Sequence, residues 1–171
     1  MQLKIQNVVS TADLQQYIDA IRFNKFSWGR YDIEYYGGRC GYIKDEAMQG
    51  RVSVFLSGKM ISTGAKSVPE SIWQLEHAMD LLVRRKLAEK ISLEHKVQNI
   101  VATIDLQKIL DVKKVINSLA NYIYEPDNFP GIIYKHNGLS CLIFASGKIV
   151  IAGAKSEDQL KDTANQIVEL L

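Results

Sequence analysis

The sequence predicts an α+β fold built twice, with antiparallel strands forming a sheet and helices covering one of its faces. Three observations predict it. The stretch SGKMISTGAKS at 57–67 returns at 146–156 as SGKIVIAGAKS, with seven of eleven positions identical. IQNVVSTADL at 5–14 returns at 97–106 as VQNIVATIDL, with six of ten identical. Between these anchors, strand-like and helix-like segments follow in the same order in both copies. Two copies are too few for a solenoid. The expected arrangement is an intramolecular pseudo-dimer with an approximate twofold axis, divided as residues 1–91 and 92–171.

Each copy opens on a β-rich segment, 3–11 and 96–104, where Val, Ile and Thr concentrate. Residues 13–23 and 105–120 then carry apolar residues at helical spacing. In the second copy these are Leu106, Ile109, Leu110, Val115, Ile116 and Leu119, and a helix is expected in both. Short strands follow at 31–36, 51–57 and 59–63, and again at 131–136, 140–146 and 148–153. His136-Asn137-Gly138 marks a tight hairpin, because Asn-Gly accepts the positive φ angles of a type I′ turn.

A closing helix follows each repeated stretch. Ser67-Val68-Pro69-Glu70 combines an N-cap serine, an early proline and a glutamate three residues on, a capping-box pattern. Beyond it Ile72, Leu75, Met79, Leu82 and Val83 form one apolar stripe. Leu160, Ala164, Ile167, Val168 and Leu171 do the same after Ser156. Residues 84–90 carry the first closing helix into a linker.

Composition narrows the function. Hydrophobic residues make up 47% and charged residues 23%, the balance of an ordered globular chain. No apolar run reaches the ~18–20 residues of a membrane span, and MQLKIQNVV lacks the regions of a signal peptide. No membrane association is expected, and the chain is expected to stay in the compartment where it is made. Cys40, Cys141 and the three histidines have no metal-ligand spacing, so neither a metal nor a cofactor is expected. Gly64-Ala65-Lys66-Ser67 fails the phosphate-loop pattern, since an alanine separates Gly from Lys and Gly58 lies one residue too far. Gly37 to Gly41 lacks dinucleotide spacing, and the carboxylates are dispersed. An enzyme is not expected.

The helices leave the other sheet face open. Alternation puts Ile149 and Ile151 on one side and Lys148, Val150 and Ala152 on the other. Lys59, Ile61 and Thr63 likewise share a side, as do Leu142, Phe144 and Ser146. Small apolar residues bordered by lysines leave two readings open. One is cover by a second layer, including a second copy of the chain as a dimer partner. The other is a minor-groove surface for DNA, with apolar groups on the groove floor and lysines on phosphates. A net charge of +2 does not decide between them.

The paired QN-[IV]-V strands, the paired SGK…GAKS segments and YEPDNFPGIIY at 124–134 together resemble the TATA-box-binding protein family in its archaeal-type form. The resemblance covers essentially the whole chain, and the second repeat is the closer match. It implies a saddle with a curved antiparallel sheet, helices on the convex face, and the concave face on the DNA minor groove. It implies a general transcription initiation factor that binds and bends A·T-rich, TATA-box promoter DNA and recruits transcription factor B and RNA polymerase. The place of work is then the cytoplasm or nucleoid of an archaeon, or the nucleus of a eukaryote.

Carried over residue by residue, the resemblance makes Asn7 and Asn99 hydrogen-bond donors to base acceptors at the centre of the site. Val9, Ile61, Val101, Leu142 and Val150, with Thr63, pack on the groove floor. Lys59, Lys66, Lys148 and Lys155, helped by Ser57 and Ser146, hold phosphates. Phe129 and Phe144 wedge between bases at one end. Glu125 and Asp127, in the stirrup of the second repeat, meet transcription factor B. At the other end Phe55 matches Phe144, but its partner phenylalanine is missing. Aligning 31–38 with 124–131 puts Tyr36 opposite Phe129 and Gly37 opposite Pro130, whereas sliding the gap brings Arg39 or Cys40 there. The groove leucine of the first repeat is Ser53, and the second threonine is Ala152. These departures predict a weaker wedge in the first repeat. The alternative function is a protein-interaction module, or a specialised paralogue, with weakened DNA binding.

Overall fold

The structure, a computed structural model, describes residues 2–171. It divides into two compact units, Asn7–Gln98 and Asn99–Leu171, the latter joined by the stretch ending at Gln6.

The first unit holds β1 (Gln2–Asp13) from Asn7 onward, β2 (Gly29–Tyr31), β3 (Cys40–Ile43), β4 (Arg51–Phe55), β5 (Lys59–Ala65) and α1 (Val68–Arg84). Its sheet runs β2-β3-β4-β5-β1, every neighbour antiparallel. The second unit repeats the plan with β6 (Lys96–Asp105) from Asn99 onward, α2 (Val112–Ser118), β7 (Tyr122–Ile123), β8 (Ile132–His136), β9 (Leu139–Ile143), β10 (Lys148–Ala154) and α3 (Glu157–Leu170). Its order is β7-β8-β9-β10-β6, again antiparallel.

Both closing helices start at the serine the sequence marks. Ser67 Oγ accepts from the Glu70 amide at 3.2 Å, and the Glu70 carboxylate reaches back to the Lys66 amide at 2.7 Å. Ser156 Oγ accepts from the Gln159 amide at 3.1 Å, and Gln159 Oε1 takes the Lys155 amide at 2.9 Å. Each pair satisfies N–H groups that a helix start leaves without partners. Leu75, Met79 and Leu82 of α1 are fully buried against Val52, Val54 and Met60 of the sheet. Two buried polar contacts fix the register of helix on sheet. Ser10 and Ser71 share a hydrogen bond of 2.5 Å, and Gln74 Nε2 donates to Ser62 Oγ at 3.2 Å. In the second unit Leu160, Ala164 and Ile167 of α3 are buried in the same way. Helices therefore cover one face of each unit's sheet, as the alternation predicts.

Three sequence expectations are corrected. Residues 13–23 do not form an α-helix; only Ala20–Lys25 coil, as a 3-10 turn. The earlier part is tied instead to the turn between β4 and β5, with the Leu14 amide on the Gly58 carbonyl and the Ile18 amide on that of Leu56. The same pinning, Leu106 to Gly147 and Leu110 to Ala145, shortens the second helix to Val112–Ser118. Asp111 caps it, accepting the amides of Lys113 and Lys114. Tertiary hydrogen bonds override apolar spacing at both places. Residues 31–36 are mostly not a strand, because Asp32 starts a turn in which its carboxylate takes the Glu34 amide at 2.9 Å. The sequence reading also lacked β3 and β7, whose four and two residues are too short for a period-2 pattern. The Asn-Gly hairpin is present, with φ of 49° at Asn137 and 79° at Gly138.

Candidate nucleic-acid interface

The open face of each unit is organised around an asparagine and a bulge. Between β1 and β5 the register slips around Val8 and Ser10, and between β6 and β10 it slips around Ala152 and Ala154. Gly64 and Gly153 sit at these slips with φ of +88° and +108°, a conformation that glycine adopts without strain. A bulge removes an N–H from the ladder. Here Asn7 Oδ1 accepts the Gly64 amide at 2.8 Å, and Asn99 Oδ1 accepts that of Gly153 at 2.8 Å. Because the carboxamide oxygen must face an N–H, the Nδ2 group of each asparagine is fixed as an outward donor.

Lysines, serines and aromatics then assemble identically in the two units. In the first, Phe55, Ser57, Lys59, Ile61 and Thr11 line a depression of about 540 Å³, with Asp13, Gln15, Glu94 and Lys96 on its rim. In the second, Phe144, Ser146, Lys148, Val150 and Thr103 line one of about 480 Å³, with Gln2, Lys4 and Asp105 on its rim. The lysine and serine of each set are exposed, and the apolar members are half-buried. Gly58 and Gly147, at φ of +93° and +82°, close the turns that carry Ser57 and Ser146. A Cβ on either would lie within 2.4 Å of the carbonyl oxygen of Gln16 or Lys108.

The structure places the other residues that the resemblance implies as follows. Val9 sits between buried Val8 and Ser10, and Val101 between buried Ile100 and Ala102; both are half-buried. Leu142 pairs across the ladder with Val150, and Thr63 with Arg51. Lys66 and Lys155 are exposed just before α1 and α3. Phe129 meets Phe144 edge to face with centroids 5.8 Å apart, and Tyr36 meets Phe55 in the same way at 5.5 Å. Of the open alignments, the structure brings Tyr36 to Phe55; Cys40 is buried, and Arg39 folds back onto the Tyr36 carbonyl. Glu125 and Asp127 are exposed, with Glu125 Oε2 accepting from Asn128 Nδ2 at 3.0 Å.

Sequence reasoning missed several members of this face. Gln98 Nε2 donates to Thr11 Oγ1, and Gln6 Nε2 to Thr103 Oγ1, both at 2.8 Å. The signal was available, because Gln and Thr are among the six identities of the first repeated stretch. Directly paired residues share a face. One row of the first unit therefore reads Arg30, Tyr42, Ser53, Ile61, Thr11, and its counterpart in the second reads Ile123, Ile133, Leu142, Val150, Thr103. The Arg51 guanidinium lies 4.4 Å from the Tyr42 ring centroid, a cation–π contact.

Cys141 lies away from this chemistry, paired with buried Ile151, whereas Cys40 is buried within it, paired across the ladder with Phe55. Burial pushes the Cys141 thiol up to about 11 and raises that of Cys40 as well, which keeps both neutral. Among the described residues no group of three or more His, Cys, Asp and Glu could hold a metal ion. None of the described helices is long and apolar enough to cross a membrane.

The model of a family described as transcription factor TFIID, or TATA-binding protein, matches residues 2–84 and again 94–171. A TATA-box-binding protein of Cenarchaeum symbiosum (strain A) is 45% identical over 169 residues, 98% of this chain and 93% of that one. One from Aeropyrum pernix is 34% identical over 178 residues, 99% of this chain and 84% of its own. Among solved structures, Methanococcus jannaschii TBP superimposes with a TM-score of 0.85 at 29% identity, covering 99% of this chain and 98% of that one. The fold is the duplicated α+β fold of that relative. The chain belongs to the TATA-box-binding protein family of general transcription initiation factors, in its archaeal type.

Proposed function

We propose that this chain binds A·T-rich promoter DNA through the minor groove and bends it, and so nucleates the assembly that starts transcription. The observation that carries this reading is the twice-built set of outward asparagine donor, half-buried apolar floor, rim lysine and edge-to-face aromatic pair. Each part answers a feature of that groove. Adenine N3 and thymine O2 are acceptors, and the Nδ2 groups of Asn7 and Asn99 are donors. Val9, Ile61 and Thr63 in one unit, and Val101, Leu142 and Val150 in the other, meet a floor free of the guanine amino group. Lys59, Lys66, Lys148 and Lys155, with Ser57 and Ser146, take phosphates.

The aromatic pairs supply the bend. Unstacking a base step costs a few kcal/mol, least at flexible steps such as TA, and the opened groove then buries more apolar surface. The role is one of binding and deformation rather than catalysis. Glu125 and Asp127 are exposed carboxylates close in sequence to the Phe129 wedge, and we assign them to a basic surface of transcription factor B.

A mobility shift comparing an A·T duplex with a G·C duplex tests the reading. Preferential A·T binding is expected, with log K falling against log salt at a slope of about −3 to −4 for four lysine–phosphate contacts. No shift on the A·T duplex at low salt would refute it in favour of a protein-interaction module.

A further inference from the structure

The two units differ in polarity in the middle of the open-face row. Where the second unit places Leu142 between Ile133 and Val150, the first places Ser53 between Tyr42 and Ile61. Ser53 and Leu142 occupy the same register: each stands two residues before the phenylalanine of its aromatic pair and opposite the branched residue of the next strand. Both are half-buried. The structural difference is therefore a change of side chain in a matched frame.

In the minor groove the guanine N2 amino group is the one feature that separates G·C from A·T, and it projects from the floor as a donor. An isobutyl group set on that floor fills the space the amino group needs and offers it no acceptor. A buried donor without a partner is costly. A serine is shorter and carries a hydroxyl with two acceptor lone pairs. It both makes room for the amino group and takes its hydrogen bond.

We propose that Ser53 makes the first unit tolerant of a G·C pair at the position it covers, while Leu142 makes the second unit demand A·T at the matching position. This rests on the DNA-binding reading above. One consequence is directional: a site with G·C in one half and A·T in the other accepts the protein in one orientation, with the first unit over the G·C pair. The asymmetry of the repeats then orients the factor without any change in its phosphate contacts.

The test uses a palindromic A·T duplex, in which either orientation is equivalent. A G·C pair is moved stepwise through one half, or through both halves together, and each affinity is expressed relative to the A·T parent for the same protein. At one position the singly substituted duplex is expected to bind wild type within about threefold of the parent, because the protein turns to place Ser53 there. The doubly substituted duplex is expected to bind at least about tenfold more weakly. Replacing guanine by inosine, which lacks only the amino group, restores it. Ser53→Leu is expected to make the single substitution cost about tenfold or more, and Leu142→Ser to relieve the double one. Because each ratio is internal to one protein, a variant with weaker overall binding still reports.

The proposal is wrong if wild type loses tenfold on the single substitution at every position. It is also wrong if Ser53→Leu discriminates no better than wild type. Absence of binding to the A·T parent itself would overturn the DNA reading and this inference with it, a result distinct from either of those.

Discussion

Tyr36 meets Phe55 with ring centroids 5.5 Å apart and planes at 63°, and Phe129 meets Phe144 at 5.8 Å and 65°. The first unit thus builds, from Phe55 and a tyrosine in the 3-10 turn Tyr35–Gly38, the ring geometry that the second builds from two phenylalanines. The pairs are not equivalent in energy. Tyr36 sits at φ 49°, a left-handed conformation that costs a non-glycine residue about 1 kcal/mol or more. Its hydroxyl also needs a partner or water once the ring enters a base step. Phe144→Ala is expected to lose most of the DNA bend, measured by energy transfer between end labels, and Tyr36→Ala to lose less. Tyr36→Phe is expected to bend more than wild type. Equal losses from the two alanine variants would refute unequal wedges.

Gly131 sets how closely the second pair stands. A Cβ there would lie 2.7 Å from Phe129 Cε1 and 3.0 Å from Phe144 Cε1, so both rings must shift. Neither ring is fully buried. Gly131→Ala is therefore expected to reduce the bend while changing the melting temperature by only a few degrees, about 1 kcal/mol of stability. A bend unchanged from wild type would show that ring spacing does not matter to insertion.

What was legible in the sequence was what repetition and capping write down locally. The duplicated stretches gave two units alike in strand order, and Ser67 and Ser156 gave the helix starts. Alternation gave the open face, since Lys59, Ile61, Lys148 and Val150 need only a period of two. What was not legible depends on distant partners. Residues 13–23 have helical spacing, yet Leu14 and Ile18 give their amides to the Gly58 and Leu56 carbonyls. The roles of Asn7 and Asn99 as bulge acceptors depend on Gly64 and Gly153, more than fifty residues away. One alignment of its loop already put Tyr36 opposite Phe129, and a slid gap put Arg39 or Cys40 there; the ring contact with Phe55 decides for Tyr36. The polar row through Ser53 needed the register of five strands.

The asparagine geometry separates a structural role from a recognition role. Asn99→Asp keeps an oxygen to accept the Gly153 amide but loses the Nδ2 donor and adds a charge. It is expected to weaken A·T binding by about tenfold or more while leaving the unfolding midpoint nearly unchanged. Asn99→Ala also leaves the bulge amide without its partner, and is expected to lower stability by about 1 kcal/mol in addition. Equal binding by Asn99→Asp and wild type, measured by titration calorimetry, would remove Asn99 from the recognition set.

Burial of Cys141 predicts a pH dependence that is independent of DNA. Its folded-state pKa of about 11 lies above the ordinary value of 9.0, and the cause is desolvation of the thiolate inside the sheet. The unfolded thiol therefore releases its proton first, so the folded state holds more protons between these two values. Stability from this group is fully present below pH about 9 and is lost as pH rises toward about 11, by up to about 1.4 kcal/mol per unit. Cys141→Ala removes the titrating group and leaves the lysines, the tyrosines and Cys40 in place. Urea unfolding of both proteins across that range is the measurement. The expected outcome is a stability difference that is constant below pH about 9 and shifts in favour of the alanine variant above it. A difference constant to pH about 11 would mean that the folded chain lets Cys141 ionise as freely as the unfolded one.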